Sequence, residues 1–376
     1  MSNLLDQTLA RFNYDLPKER IANQPLAERD QSRLLVLDRQ SGGFEDRQFF
    51  QLIDYLGDND VLVLNETKVF PARMLGKKQT GGKVELLLLK QLEENAWQAI
   101  AKPGLTVGQR LFFASQQQLQ LEDLDLEDLL QAQVKWRDDN SALVRVEFNR
   151  HGENLWRAID ACGITPLPPY IKNQQTEAER KAKYQTVYAK NTGSAAAPTA
   201  GLHFTAKLLT KLEAKGVQIE RVSLHVGLGT FAKLSEENLK NKTLHEEFYQ
   251  IEAKVAKRLL VAKKAGKRIV AVGTTSSRSL ESAVFKESGQ LKMKTGPQTT
   301  KIFIDPPYQF QFVDALITNF HLPQSSLLMM VSAFCSQPNS KFEFEDFQTS
   351  ILGRAYLHAV ADKYRFFSFG DAMLIV

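Results

Sequence analysis

Short apolar runs recur along the chain, each closed by glycine, proline or a polar cluster. Residues 32–38 and 60–65 have apolar interiors without polar alternation, the pattern of strands covered on both faces. Beyond Arg73 the texture changes. Residues 82–89, 96–100 and 142–148 are β-rich runs spaced by turn signals, which predicts a small all-β module. The acidic, leucine-rich residues 121–130 between them read as a solvated connector. Residues 165–170 then hold Pro166, Pro168 and Pro169, which excludes a helix interior and marks a return to the first domain.

Downstream the period becomes helical and strand-like in turn. Thr205 suits the cap of a helix over residues 206–215, with Gly216 at its left-handed end and a strand at 217–226. A helix at 253–265 feeds a strand at 268–272, and a helix resumes over 274–285. The last unit predicts a strand at 313–318, a loop at 319–324 and a helix at 327–334 capped by Ser325 and Ser326. The expected fold is an α/β mixed-sheet domain, residues 1–74 and 151–376, carrying an inserted small all-β, barrel-like domain at 75–150.

Length supports two domains, since 376 residues exceed what one core usually organises. Residues 315–340 contain no Asp, Glu, Lys or Arg, but Asn319, His321, Pro323 and Gln324 make them buried strand, loop and helix, not a membrane span. Residues 1–16 lack the basic start and apolar core of a secretory signal. Cys162 and Cys335 form no close pair, which excludes a disulfide scaffold, a thiolate zinc site and an iron–sulfur cluster. These features predict a soluble, cytoplasmic protein without a membrane partner. A net charge of +5 permits a polyanionic partner without demanding one.

Candidate chemistry gathers at residues 193–323. Four of the six histidines fall there, His203, His225, His245 and His321, three beside strand or helix ends. That placement suits proton transfer, although a lone histidine is more often structural. Their spacing matches no helical metal motif, so no metal is expected. Residues 223–231 end a strand with Gly227 and Gly229, which allow close backbone approach to a ligand or simply form a tight turn. Residues 272–278 place a glycine, four hydroxyls and Arg278 at a strand-to-helix junction, a setting that favours anions. Helix capping by Thr274 or Thr275, and an Arg278–Glu281 pair, are the plain alternatives. Residues 193–205 are mostly small side chains ending in His203, Phe204 and Thr205. Strand 61–64 runs into Asn65, Glu66, Thr67 and Lys68 without a glycine, so a dinucleotide fold and an ordinary methyltransferase are disfavoured.

Residues 12–17, 64–73, 191–205, 224–231, 272–275, 314–323 and 364–373, taken together and in order, closely resemble the S-adenosylmethionine:tRNA ribosyltransferase-isomerases of queuosine synthesis. Residues 244–249 and 304–308 are looser versions of that pattern. The resemblance implies an α/β domain with an inserted β-barrel. It also implies transfer of the ribosyl part of S-adenosylmethionine, a co-substrate and the only small-molecule requirement, to 7-aminomethyl-7-deazaguanine at the tRNA wobble position. Epoxyqueuosine forms, and adenine and methionine leave. The expected partner is a tRNA with a G-U-N anticodon, bound by a monomer.

On that reading His203, His225 and His321 are candidates for proton transfer, by a base near neutral pKa, with Asp314 orienting one of them. Phe204, Phe231 and Phe320 are candidates to face adenine or the sulfonium. Thr205, Gly227, Gly229 and Asn319 belong to the substrate loops, and Thr274, Thr275 and Arg278 suit a methionine carboxylate or an RNA phosphate. Arg33, Lys68 and Arg73, with Arg29, form the candidate tRNA face. Segments from both chain ends are expected to complete the site. The competing class is a non-catalytic tRNA-binding protein, which would release no adenine.

Overall fold

A computed structural model describes residues 4–115, 118, 125, 128–139, 141–167, 171, 176–227 and 234–376. The centre of the molecule is a nine-stranded mixed sheet whose order runs Gly296–Ile302, Thr243–Ile251, Gln218–His225, Asp60–Asn65, Arg268–Val272, Ala315–Asn319, Ala372–Ile375, Arg33–Leu37 and Phe44–Gln48. The four strands from Gln218–His225 to Ala315–Asn319 are mutually parallel. Antiparallel strands flank them on both sides.

Period-two alternation explains why these runs are apolar throughout. Val61 and Val63 enter one core with Ile269, Ala271 and Leu316, whereas Leu62 and Leu64 enter the opposite core with Val270, Val272, Ala315 and Ile317. Helices cover both faces. Thr205 caps Ala206–Ala214 by accepting from the Leu208 N–H, and Leu208, Leu209 and Leu212 pack into the second core. Helices Ala253–Lys264, Ser326–Phe334 and Ile351–Ala361 pack into the first, and Ser325 caps the second of them through the Leu328 N–H. The charge-free stretch is therefore strand, loop and buried helix, and among the described residues no helix is long and apolar enough to cross a membrane.

The second sheet closes on itself. Six antiparallel strands run Arg73–Lys78, Lys83–Gln91, Ala96–Lys102, Leu143–Phe148, Leu130–Arg137 and Arg110–Phe113, and the last pairs with the first through Lys77 and Phe112. At this closure Gly76 is required by proximity: a Cβ there would lie 2.5 Å from the Phe112 carbonyl oxygen and 2.6 Å from the Phe113 ring. Val84, Leu86, Leu88, Val134, Val144 and Val146 fill the interior around Trp97. The mixed α/β domain with an inserted barrel is thus present. Helix Gly152–Cys162 packs Leu155, Ala158 and Ile159 into the barrel core, and Gly163–Ile164 still pairs with Arg73–Lys78.

Several details differ from the sequence expectation. Three barrel strands, Arg73–Lys78, Arg110–Phe113 and Leu130–Arg137, were not anticipated: the first has a glycine at an inward position, the second is only four residues long, and the third alternates well but follows directly on the acidic run read as a connector. The helix expected over 274–285 spans Gly273–Ala283, and Val284–Glu287 turns into a hairpin strand. Most of the acidic connector and Pro168–Tyr170 lie outside the described residues.

Candidate active site

Parallel strands deliver their C-terminal ends to one edge of the sheet, where α/β proteins bind ligands. His225, Val272 and Asn319 stand at three of these ends. A cleft opens here, lined by Thr199, Val226, Thr274, Thr275, Asn319 and His321 among others. Its described lining holds no Asp, Glu, Lys or Arg. Phe367 and Ser368, from the C-terminal segment, complete one wall, whereas no residue before Arg73 is among its described lining.

His203 ends the 3-10 turn Thr199–His203 and is buried. Its Nδ1 lies 2.8 Å from Ser32 Oγ and its Nε2 lies 3.1 Å from Asn319 Nδ2. The Asn319 amide orientation follows from its other contacts: Oδ1 accepts from Thr199 Oγ1 and Nδ2 donates to the Phe367 carbonyl. Nδ2 therefore donates to Nε2, which leaves the imidazole proton on Nδ1, donated to Ser32. Both ring nitrogens are engaged within the protein.

His321 lines the cleft, with Nε2 2.8 Å from Thr318 Oγ1. Its backbone is pinned from two sides: the carbonyl accepts from the Tyr14 hydroxyl, and its N–H donates to the Tyr356 hydroxyl at 3.0 Å. Tyr14 belongs to the N-terminal segment 12–17, which gives that segment a physical role in the site. His225 sits at the edge of the site, its Nδ1 2.8 Å from Thr67 Oγ1 and its ring stacked on Phe248 at 5.3 Å.

A base near neutral pKa is not what these histidines provide. Burial pushes His203 down to about 4 and His321 down to about 3, and burial also lowers His225. All three are uncharged at neutral pH. The fourth histidine of the window, His245, lies on strand Thr243–Ile251 with its side chain exposed, outside the cleft lining.

Other candidates have different partners from those expected. Asp314 precedes its strand at the end opposite His321, where its carboxylate binds Lys263 Nζ at 2.7 Å and the Ile269 N–H at 2.9 Å. Phe204 packs edge-on against Phe49, and Phe320 packs among Tyr356, Tyr364 and Phe366; both are core residues. Thr205 is occupied as a cap and also binds Asp30 at 2.8 Å. Arg278 pairs with Glu247 at 2.6 Å, not with Glu281. Glu281 instead accepts from the N–H groups of Gln311, Phe312 and Val313. Gly227 is described, whereas Gly229 and Phe231 lie outside the described residues.

The candidate tRNA residues are scattered. Arg33 stacks on Tyr364 at 3.7 Å and binds Asp46 and Asp362, in a cluster with His358. Arg73 pairs with Glu85 on the barrel at 2.8 Å, and Lys68 is exposed on strand Thr67–Val69. Arg29 donates to the Ala182 and Gln185 carbonyls. Ser32, Thr318 and Phe367 were missed as site residues; nothing in their local sequence distinguishes them from a strand flank, a strand interior and a turn.

A family model described as "Queuosine biosynthesis protein" matches residues 9–375. The chain belongs to that family. This family member is 45% identical over 367 residues to the S-adenosylmethionine:tRNA ribosyltransferase-isomerase of Clostridioides difficile (strain 630), covering 97% of this chain and 98% of the relative. It is 48% identical over 373 residues to the protein of the same name from Symbiobacterium thermophilum, covering 98% and 99%. The crystal structure of a S-adenosylmethionine tRNA ribosyltransferase from Thermotoga maritima shares 35% identity, covers 97% of this chain and all of its own, and superposes with a TM-score of 0.51. The queuosine family match includes the barrel as well as the mixed sheet, so the inserted module belongs to the family architecture.

Proposed function

We propose that this chain transfers and isomerises the ribosyl moiety of S-adenosylmethionine onto the 7-aminomethyl group of 7-deazaguanine at the tRNA wobble position. Epoxyqueuosine-tRNA forms, with release of adenine and methionine. The reading rests chiefly on near-full-length similarity to proteins bearing that activity in their names. A cleft at the C-terminal ends of the parallel strands, with an uncharged described lining, is where such a fold takes a small co-substrate. A purely tRNA-binding protein would not require such a cleft.

In the proposed course a base removes one C5′ hydrogen, which the neighbouring sulfonium acidifies. Adenine then departs, the tRNA amine attacks, and closure of the epoxide expels methionine. His321 is the proton-transfer residue in this scheme because, of the three candidate histidines, it lines the cleft and has its backbone fixed by Tyr14 and Tyr356; burial makes it a weak base in the free protein. His203 acts as a positioning residue through Asn319. His225 and Asp314 hold the surrounding strands, and Phe367 replaces Phe204 and Phe320 as the ring beside the ligand. The mixed-sheet domain forms the catalytic unit, and the inserted barrel runs from strand Arg73–Lys78 through helix Gly152–Cys162, two residues earlier and about a dozen later than the expected bounds 75–150. The working form is a cytoplasmic monomer acting on tRNAs with a G-U-N anticodon.

Incubation with S-adenosylmethionine and tRNA bearing the deazaguanine precursor tests this reading. Adenine and methionine should appear together in equal amounts. S-adenosylhomocysteine in their place would make the protein a methyltransferase, and tRNA binding without either product would make it a non-catalytic binder.

A further inference from the structure

Helix Gly273–Ala283 begins at the cleft without a side-chain cap. Its N-cap is Val272, and neither Thr274 nor Thr275 caps it. Gly273 turns the chain from strand into helix with a φ of +83°, a conformation that favours glycine. The N–H groups of the first turn have no partner within the helix, and the helix dipole adds partial positive charge there.

A second observation points the same way. Thr275 is 7% exposed and lines the cleft, yet its Oγ1 has no hydrogen-bond partner among the described residues. An enclosed hydroxyl left without a partner costs free energy unless a ligand supplies one. Arg278, the nearest cation in sequence, is held by Glu247.

We infer that this helix terminus, with the Thr275 hydroxyl, is the subsite for the α-carboxylate of the methionine half of S-adenosylmethionine. The inference rests on the function proposed above. A carboxylate fits because the cleft offers N–H and O–H donors but no described cation. An RNA phosphate does not, because it arrives flanked by sugars, and Thr274 and Thr275 are each 7% exposed. The carboxylate accepts from the first-turn amides and from Thr275 Oγ1. The sulfonium then lies farther into the cleft, toward His321.

Calorimetric binding to the full chain, with S-adenosylmethionine and with its decarboxylated analogue, tests the assignment. Wild-type protein should bind the decarboxylated compound at least tenfold more weakly. Thr275→Val should weaken S-adenosylmethionine by about tenfold to a hundredfold, the range for a hydrogen bond to a charged group, while leaving the decarboxylated analogue nearly unchanged. Thr275→Ser, which keeps the hydroxyl, should restore binding. Equal affinity of wild-type protein for both compounds, or equal weakening of both by Thr275→Val, overturns the subsite while leaving the function intact. Failure to bind S-adenosylmethionine, alone or with tRNA, overturns the function and the subsite together.

Discussion

Asn319 donates to Nε2 of His203 at 3.1 Å, so the imidazole that sequence placed among the proton-transfer groups has no free nitrogen. His203 instead fixes Asn319, which reaches the Thr199 and Phe367 walls of the cleft. His203→Ala should therefore act mainly on co-substrate binding, raising KM about tenfold, whereas His321→Ala should lower kcat by about a hundredfold or more. Steady-state kinetics of the two variants separates the roles. A large kcat loss at unchanged KM in His203→Ala would return that residue to proton transfer.

His321 acts from the uncharged state, because burial holds its pKa at about 3. The pH dependence of kcat/KM should then show no acid limb near 6.5, the ordinary imidazole value, and activity should persist toward pH 5 wherever the fold survives. An inflection between pH 6 and 7 that disappears in His321→Ala would contradict this.

The fold was legible where burial is two-sided or where apolar alternation is long and unbroken, and illegible where the alternation is short or broken. Residues 60–65 announce themselves because both faces are covered. Arg73–Lys78 does not, since Leu75 faces outward between Arg73 and Lys77, which breaks the alternation, and Gly76 replaces the inward apolar residue at the closure. At the site, sequence marked the strand ends but not the direction of side chains. Phe204 and Phe320 sit beside the right loops yet turn into the two cores, because a phenylalanine next to a strand end is strongly drawn to apolar cover. Arg278 could not be separated from a ligand group because its partner, Glu247, is distant in sequence and arrives on a neighbouring strand.

Acid should destabilise the fold in a defined window. His203 and His321 have folded pKa values of about 4 and about 3, below the unfolded 6.5, so the unfolded chain binds more protons between those limits. Stability from their neutral burial is complete above pH 6.5 and falls as pH drops toward 4. For His203 this amounts to about 3 kcal/mol over the window, at 1.36 kcal/mol per pH unit. Urea unfolding from pH 7.5 to 4.5 should show the slope, and His203→Gln should reduce it. An unchanged slope in that variant would mean other groups control acid stability.

Arg278 and Glu247 form a buried pair, each side chain exposed by 5% or less. Removing one partner strands the other charge, so Glu247→Ala should cost about 3–5 kcal/mol, whereas Arg278→Met combined with Glu247→Leu should recover most of that loss. Chemical denaturation gives the stabilities, and calorimetry on the double variant gives the affinity for S-adenosylmethionine. Retained affinity is expected if the pair is structural. A loss of tenfold or more in a fully folded double variant would restore Arg278 as a ligand group.

Of the four residues proposed for tRNA, only Lys68 is exposed without an ion pair to an acidic side chain among the described residues, Arg29 being half-buried and bound to two carbonyls. Arg33 is tied to Asp46, Asp362 and Tyr364, and Arg73 to Glu85, so releasing either to a phosphate would first break an existing contact. Counterion release then predicts different signatures. Lys68→Ala should make the dependence of log K on log salt shallower by about 0.7, the increment for one contact to a single strand. Arg33→Ala should instead lower stability and leave the salt slope nearly intact. Filter binding of tRNA between 50 and 200 mM salt distinguishes the two. An unaltered slope in Lys68→Ala would place the tRNA elsewhere on the molecule.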